Sequence, residues 1–207
     1  MNLAARLDKL NLAGEQWRAR YYAPLLRLCR WLHISASQVT VFRVILAAAY
    51  AVLILRSATV AIILIIASIL LDTFDGALAR YLKTDSDRGK FIDVLADQIT
   101  FVFLCLGLIR CLPDLSHPIA TAMVTIPLAY LMAMVSMNER KTSGWIIRPQ
   151  ARMTTYKAVF IAVILGFLWH WWDEPALRKL SWIIAVAAGV HFCSHFYRFA
   201  RRGKSHL

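Results

Sequence analysis

From about residue 40 onward the chain is a succession of long apolar runs separated by short basic turns. Six stretches are predominantly apolar, approximately 40–56, 59–80, 90–110, 118–137, 155–172 and 180–199. About 20 such residues in a helix cross the hydrocarbon core of a bilayer, and roughly 17–25 is the usual range. The pattern therefore predicts an all-α integral membrane protein with six transmembrane helices. Pro127 is expected to kink the fourth, which a bundle accommodates. Upstream, residues 3–32 read as an N-terminal amphipathic interfacial helix, or two broken near Pro24. Trp17, Tyr21, Leu25, Leu28 and Leu32 recur at helical spacing with Arg18, Arg20, Arg27 and Arg30 between them. That mixture suits a helix lying among lipid headgroups. The organisation expected is a juxtamembrane segment (1–33), a six-helix catalytic domain (34–200) and a basic tail (201–207).

Composition agrees with the pattern. The chain is 59% hydrophobic and only 17% charged, against about 45–50% and about 25% in soluble domains. Its net charge of +12 would suit either nucleic acid or an anionic membrane surface, and the distribution decides. Of 24 Lys and Arg, only Arg56, Arg110, Arg178 and Lys179 fall on one side of the predicted spans. The rest lie in the N-terminal arm, the second and fourth turns and the tail. By the positive-inside rule both termini are cytoplasmic, and no nucleic-acid partner is needed. The N-terminal segment has charges throughout and does not read as a cleavable signal. Cys29, Cys105, Cys111 and Cys193 have no ligand-like spacing and read as apolar filler.

One stretch does not fit an inert membrane domain. "DTFDGALARYLKTDSDRGKFIDVLAD", Asp72 to Asp97, joins the second and third apolar runs. Asp72 and Asp75 are three apart, and Asp93 and Asp97 four apart, so each pair occupies one helical face. Two antiparallel helices joined by a short cytoplasmic turn would bring the four acids into one pocket. Carboxylates at mid-membrane cost about 2.5–3.5 kcal/mol each, less near an interface, and four together repel. Hard oxygen ligands converging on a point suit Mg²⁺ or Mn²⁺. Four suffice for two ions, the arrangement that clamps phosphoryl chemistry. Gly76, Ala79 and Gly89 leave room for close approach, and Arg80 can fork onto a phosphate. Asp85 and Asp87 read as ordinary helix-boundary charges.

The pattern D72-x2-D75-G76-x2-A79-R80-x8-G89-x3-D93-x3-D97 resembles the signature of the CDP-alcohol phosphotransferase family of membrane enzymes, at every fixed position and with its spacing. The resemblance implies displacement of CMP from a CDP-linked donor, usually CDP-diacylglycerol in chains of this size, by an alcohol hydroxyl. It implies that Asp72, Asp75, Asp93 and Asp97 bind two divalent ions, Mg²⁺ or Mn²⁺, and that Asp97 is also the general base. Gly76, Ala79, Arg80 and Gly89 would contact the CDP moiety, and Ser86 would touch the nucleotide. Similar enzymes open their first span with a Pro-Asn-x-x-Thr-like element that helps bind the donor. Here "ISASQVTVFR" keeps Thr40 and Arg43, with Ala36 and Ser37 in place of the Pro and Asn-like residues, so Ser37, Gln38, Val39 and Thr40 are donor-contact candidates. Homodimers are common among similar enzymes.

The acceptor is less legible. The turn "NERKTSGWIIRPQARMTTYK" carries Arg140, Lys141, Arg148, Arg152 and Lys157, which with Arg198 are candidates to bind a phosphate on glycerol 3-phosphate or inositol phosphate. The positive-inside rule places bases there anyway. Two alternatives stand beside the phospholipid-synthase reading. One is a CDP-amino-alcohol:diacylglycerol phosphotransferase, and the other a divalent-cation transporter, since intramembrane acids also mark ion paths. His191 and His195, four apart, read as a packed pair. Trp169, Trp171 and Trp172 read as an interfacial belt. The expected location is the bacterial inner membrane with the site facing the cytoplasm.

Overall fold

A computed structural model of the chain describes residues 21–84, 86–138, 152–168, 171 and 173–203. Among them every extended element is helical and there is no strand. In chain order the helices are α1 (21–31), α2 (Ala36–Leu53), α3 (Ala58–Leu82), α4 (Asp87–Cys111), α5 (Ser116–Asn138), α6 (Arg152–Leu168) and α7 (Glu174–Gly203), with a short 3₁₀ turn at Pro113–Leu115. Five are long and apolar enough to cross a membrane: α2, α3, α4, α7 and the segment Pro113–Val135 that includes most of α5. The expected span at 155–172 corresponds to α6, whose apolar part, Tyr156–Gly166, is shorter. Residues 169, 170 and 172 of that stretch lie outside the described set. Pro127 sits inside α5 without ending it. Residues 21–31, which include Pro24, are helical. The part of the amphipathic segment before residue 21 lies outside the described residues.

The caps explain where the helices that carry the acids begin and turn. Ser35 opens α2 with a reciprocal capping box: its side chain accepts from the Gln38 amide, and the Gln38 carboxamide accepts from the Ser35 amide. Ser86 caps α4 by accepting from the Gly89 amide at 3.1 Å. A Cβ at Gly89 would sit 3.2 Å from that hydroxyl oxygen, so glycine leaves the cap unhindered. The turn from α3 to α4 passes through Lys83 at φ 55. There the amides of Lys83 and Thr84 return to the carbonyls of Arg80 and Ala79, closing the last turn in left-handed conformation. His33, also at φ 55, makes the equivalent turn between α1 and α2.

Helix α2 packs against both α3 and α4, while α3 and α4 scarcely touch each other. The sequence reading had α3 and α4 as direct neighbours; α2 stands between them instead. A cluster of Ala47, Tyr50, Ala51, Ala61 and Ile65 joins α2 to α3. At the α2–α4 crossing, a Cβ at Gly107 would lie 2.4 Å from the Tyr50 ring, so only glycine permits the observed approach. Arg110 ties the far ends together, donating to the Ala51 carbonyl at 2.6 Å. The larger core lies among α4, α5, α6 and α7 around Phe101, Ile119, Ile126, Phe160, Leu177 and Ala185. Ile62, Ile63, Ile66, Ile69 and Leu70 of α3 and Val41, Phe42 and Ile45 of α2 face outward. Soluble monomers rarely expose apolar patches of that extent, whereas a bilayer solvates them.

Helix α1 is attached beside the acids. Leu26 is buried with Val39, Phe74 and Leu78. The Tyr22 hydroxyl lies 2.9 Å from Thr73 Oγ1, and its ring meets Phe74 edge-on at 5.4 Å. Tyr21, Leu25, Leu28 and Trp31 remain exposed, as a helix at the lipid surface requires.

Candidate active site

Three helices build the site. The last turns of α3 carry Asp72, Asp75, Gly76, Ala79 and Arg80, the first turns of α4 carry Asp93 and Asp97, and α2 inserts Thr40 and Arg43 between them. The spacing places Thr40 and Arg43 on one face of α2. Both are buried, Arg43 at 1% exposure.

The Arg43 guanidinium lies at the centre of the four carboxylates. Nη1 contacts Asp72 Oδ1 and is 2.9 Å from Asp97 Oδ1; Nη2 is 3.1 Å from Asp93 Oδ1; Nε is 3.5 Å from Asp75 Oδ2. Nη2 also donates to the Asp93 carbonyl at 3.1 Å, and the Arg43 carbonyl accepts from Ser68 Oγ at 2.9 Å. Asp75 is the deepest acid, with its side chain 3% exposed, and Oδ2 accepts from the Thr40 hydroxyl at 2.7 Å. Asp72 and Asp97 are the most open. Lys157 of α6 reaches the same place from behind, donating to the Asp97 carbonyl at 3.3 Å with its ammonium over the Phe101 and Tyr130 rings.

One guanidinium against four carboxylates leaves the cluster formally three charges negative. Oxygens of Asp72, Asp75 and Asp93 all lie within 4.8 Å of one another. An all-carboxylate donor set converging at that range fits a hard divalent cation, Mg²⁺ or Mn²⁺. Asp97 lines the same cleft and shares Arg43 Nη1 with Asp72.

The acids line a cleft of about 730 Å³. Ser37, Thr40, Gly76, Ala79, Arg80, Ser86 and Gly89, all expected at the donor site, line it too. Gln38 and Val39 do not. The Gln38 carboxamide is used in the α2 cap, and Val39 turns into the cluster with Leu26 and Phe74. Thr84, Arg88 and Lys90 add a polar, basic rim that the sequence reading had not assigned. Ser86, expected simply to touch nucleotide, is also the α4 cap. Of the acceptor candidates, Arg140, Lys141 and Arg148 lie outside the described residues, as does the side chain of Arg152 at the start of α6. Arg198 is on an exposed face of α7 and does not line the cleft. His191 and His195 lie 4.6 Å apart between ring centroids with their planes tilted by 35°, and His191 meets Tyr156 edge-on, as a packed pair would.

Arg43 is the principal residue that sequence reasoning left out of the site. Its signal was its three-residue spacing from Thr40 and its position inside an apolar run, where an arginine needs acids as partners.

Comparison with known proteins agrees with the geometry. No curated protein matches the chain in sequence. Two solved structures share its fold, both of Mycobacterium tuberculosis phosphatidylinositol phosphate synthase (PgsA1). The structure in complex with manganese and citrate is 18% identical, with a TM-score of 0.63 over 84% of this chain and 86% of that one. The apo form is 17% identical, with a TM-score of 0.64 over 84% and 93%. Residues 33–192, a span that contains every acid of the cleft, match the CDP-alcohol phosphatidyltransferase family, and the chain belongs to it.

Proposed function

We propose that this enzyme transfers the phosphatidyl group of CDP-diacylglycerol to the hydroxyl of a small phosphorylated polyol, inositol phosphate before glycerol 3-phosphate, and releases CMP. The observation that carries the reading is the cleft itself. Four carboxylates meet at the ends of membrane-spanning helices, beside basic and small residues suited to a diphosphate. The preference for inositol phosphate is supported by the two PgsA1 structures that share the fold. Family membership sets aside the cation-transporter alternative.

In this reading Asp72, Asp75 and Asp93 hold the divalent ions, with Asp97 completing a two-ion set. The ions, when bound, neutralise charge on the attacking and leaving oxygens. The chain's own groups do the rest. Arg80, Arg88 and Lys90 line the cleft and attract the donor's diphosphate, and the absent side chain at Gly76 leaves the wall open to it. Asp97, which lines the cleft and is partly open, takes the proton of the acceptor hydroxyl. The acceptor oxygen then bonds to the β-phosphorus of the donor, and the bond between that phosphorus and the CMP oxygen breaks. Asp97 is held for this by Lys157, which donates to its carbonyl. Bases of the α5–α6 segment are proposed to meet the acceptor's phosphate. The basic residues Arg80, Arg88 and Lys90 at the cleft support a site facing the cytoplasm from a bacterial inner membrane, where a soluble polyol could meet a lipid-anchored donor. A homodimer is compatible with the outward apolar faces of α2 and α3.

The test offers the reconstituted protein CDP-diacylglycerol with inositol phosphate, glycerol 3-phosphate, inositol and serine in turn, and identifies the lipid product by mass spectrometry. A phosphatidylinositol phosphate product is expected. A product only with serine or inositol would refute the phosphorylated-acceptor assignment. Turnover only with a CDP-amino alcohol and diacylglycerol would refute the donor.

A further inference from the structure

Arg43 is placed by more than its charge. It comes from the middle of an apolar helix and is 1% exposed. Its backbone is fixed by Ser68 from α3, and its side chain reaches acids on both α3 and α4. Among the described residues it is the only basic side chain within ion-pair distance of all four carboxylates. Because α3 and α4 scarcely touch each other, this guanidinium is what draws their acidic faces to one point. Every oxygen it holds belongs to an acid that the metal-site reading gives to divalent ions. A lone pair engaged by an N–H is not available to a cation at the same moment. An entering ion also sets two positive charges beside a third, next to the buried Asp75.

We propose that Arg43 is a tethered counter-cation: it assembles the four acids in the metal-free protein and competes with the divalent ions for their oxygens. This rests on the metal-site reading above. The protein would then pass between two arrangements, one closed by the guanidinium and one by metal. The four carboxylates would then never face one another without a cation between them. Arg43 is thus a positioning residue whose removal should have two effects of opposite sign.

The experiment measures Mn²⁺ affinity by calorimetry, and thermal stability in excess chelator, for the full-length protein in detergent. The wild type is compared with Arg43→Gln, which removes the charge, and Arg43→Lys, which keeps it without the fork. Arg43→Gln is expected to melt earlier than wild type in chelator and to bind Mn²⁺ at least about tenfold more tightly. Arg43→Lys should stay within about threefold of wild-type affinity, because the competing charge remains. If Arg43→Gln folds only with metal, it is purified with Mn²⁺ and titrated with a chelator of known affinity. Stronger retention than wild type supports the proposal. Equal or weaker affinity in folded Arg43→Gln, by either route, overturns it. If wild type itself binds no Mn²⁺, the metal-site reading fails and the competition fails with it. If wild type binds but the variants do not differ, only the competition fails.

Discussion

The hydroxyl of Thr40 donates to Asp75 Oδ2 at 2.7 Å, in a place where that carboxylate has almost no water. Thr40→Val removes the hydroxyl while keeping the branched shape that packs on α3. A hydrogen bond to a charged group is worth about 1.5–3 kcal/mol. No solvent replaces it here, because the Asp75 side chain is 3% exposed. The other contact to that oxygen, Arg43 Nε at 3.5 Å, is too long to compensate. If the carboxylate is a metal ligand, the loss appears as a less well-oriented donor. Converted at about 1.4 kcal/mol per tenfold, it corresponds to a ~10–150-fold weaker affinity for the divalent ion. That agrees with the ~10–100-fold cost found when partners of metal ligands are removed. The assay is CMP release at saturating donor and acceptor, with Mn²⁺ varied, beside Thr40→Ser as the hydroxyl-keeping control. Thr40→Val should need tens of times more Mn²⁺ for half-maximal rate, and Thr40→Ser only a few times more. A Thr40→Val enzyme with a metal requirement within twofold of wild type would refute the view that Thr40 orients Asp75. It would return Thr40 to the donor-contact role that its sequence neighbourhood suggested. The sign is opposite to that for Arg43→Gln, so a general loosening of the site cannot imitate both results.

Gly107→Val should lower stability in detergent by about 1–3 kcal/mol, since the new Cβ would stand 2.4 Å from the Tyr50 ring. Pairing it with Tyr50→Ala in a thermal-denaturation cycle should recover part of the loss. Lys83→Gly should raise thermal stability by roughly 1 kcal/mol, because Lys83 holds φ 55 at the α3–α4 turn; an unchanged or lower midpoint would argue against that turn. Asp97→Asn should keep the thermal midpoint near wild type and reduce CMP release by about 10²–10⁴-fold, the usual worth of a general base. Full activity would remove Asp97 from that role.

The sequence made the site more legible than its support. Acids at three- and four-residue spacing on either side of a short turn fix which faces of α3 and α4 carry charge, whatever lies between them. What lay between was not readable, because periodicity gives the face of a helix but not its neighbours. Direct contact of α3 and α4 followed from chain order, yet α2 separates them through the close Gly107–Tyr50 approach. Arg43 shows the same gap, being visible as an arginine inside an apolar run but assignable only once α2 was placed. Gln38 and Val39 were grouped with Ser37 and Thr40 as a contiguous element. On a helix, consecutive residues point in different directions, so one went to a cap and one to the core. The spans were readable because hydrocarbon imposes length and apolarity together. The sixth was less clear, since α6 has only Tyr156–Gly166 as its apolar stretch.

The central claim is that this cleft joins a CDP-linked lipid to a soluble alcohol with the help of divalent metal. The most direct measurement counts CMP and new phospholipid together, from purified protein in CDP-diacylglycerol liposomes with inositol phosphate. Mn²⁺ is supplied, then removed with chelator, then restored. The expected result is one CMP per lipid formed, loss of both with chelator, and recovery of both when Mn²⁺ returns. CMP released without a matching phospholipid, or a rate indifferent to chelator, would contradict it.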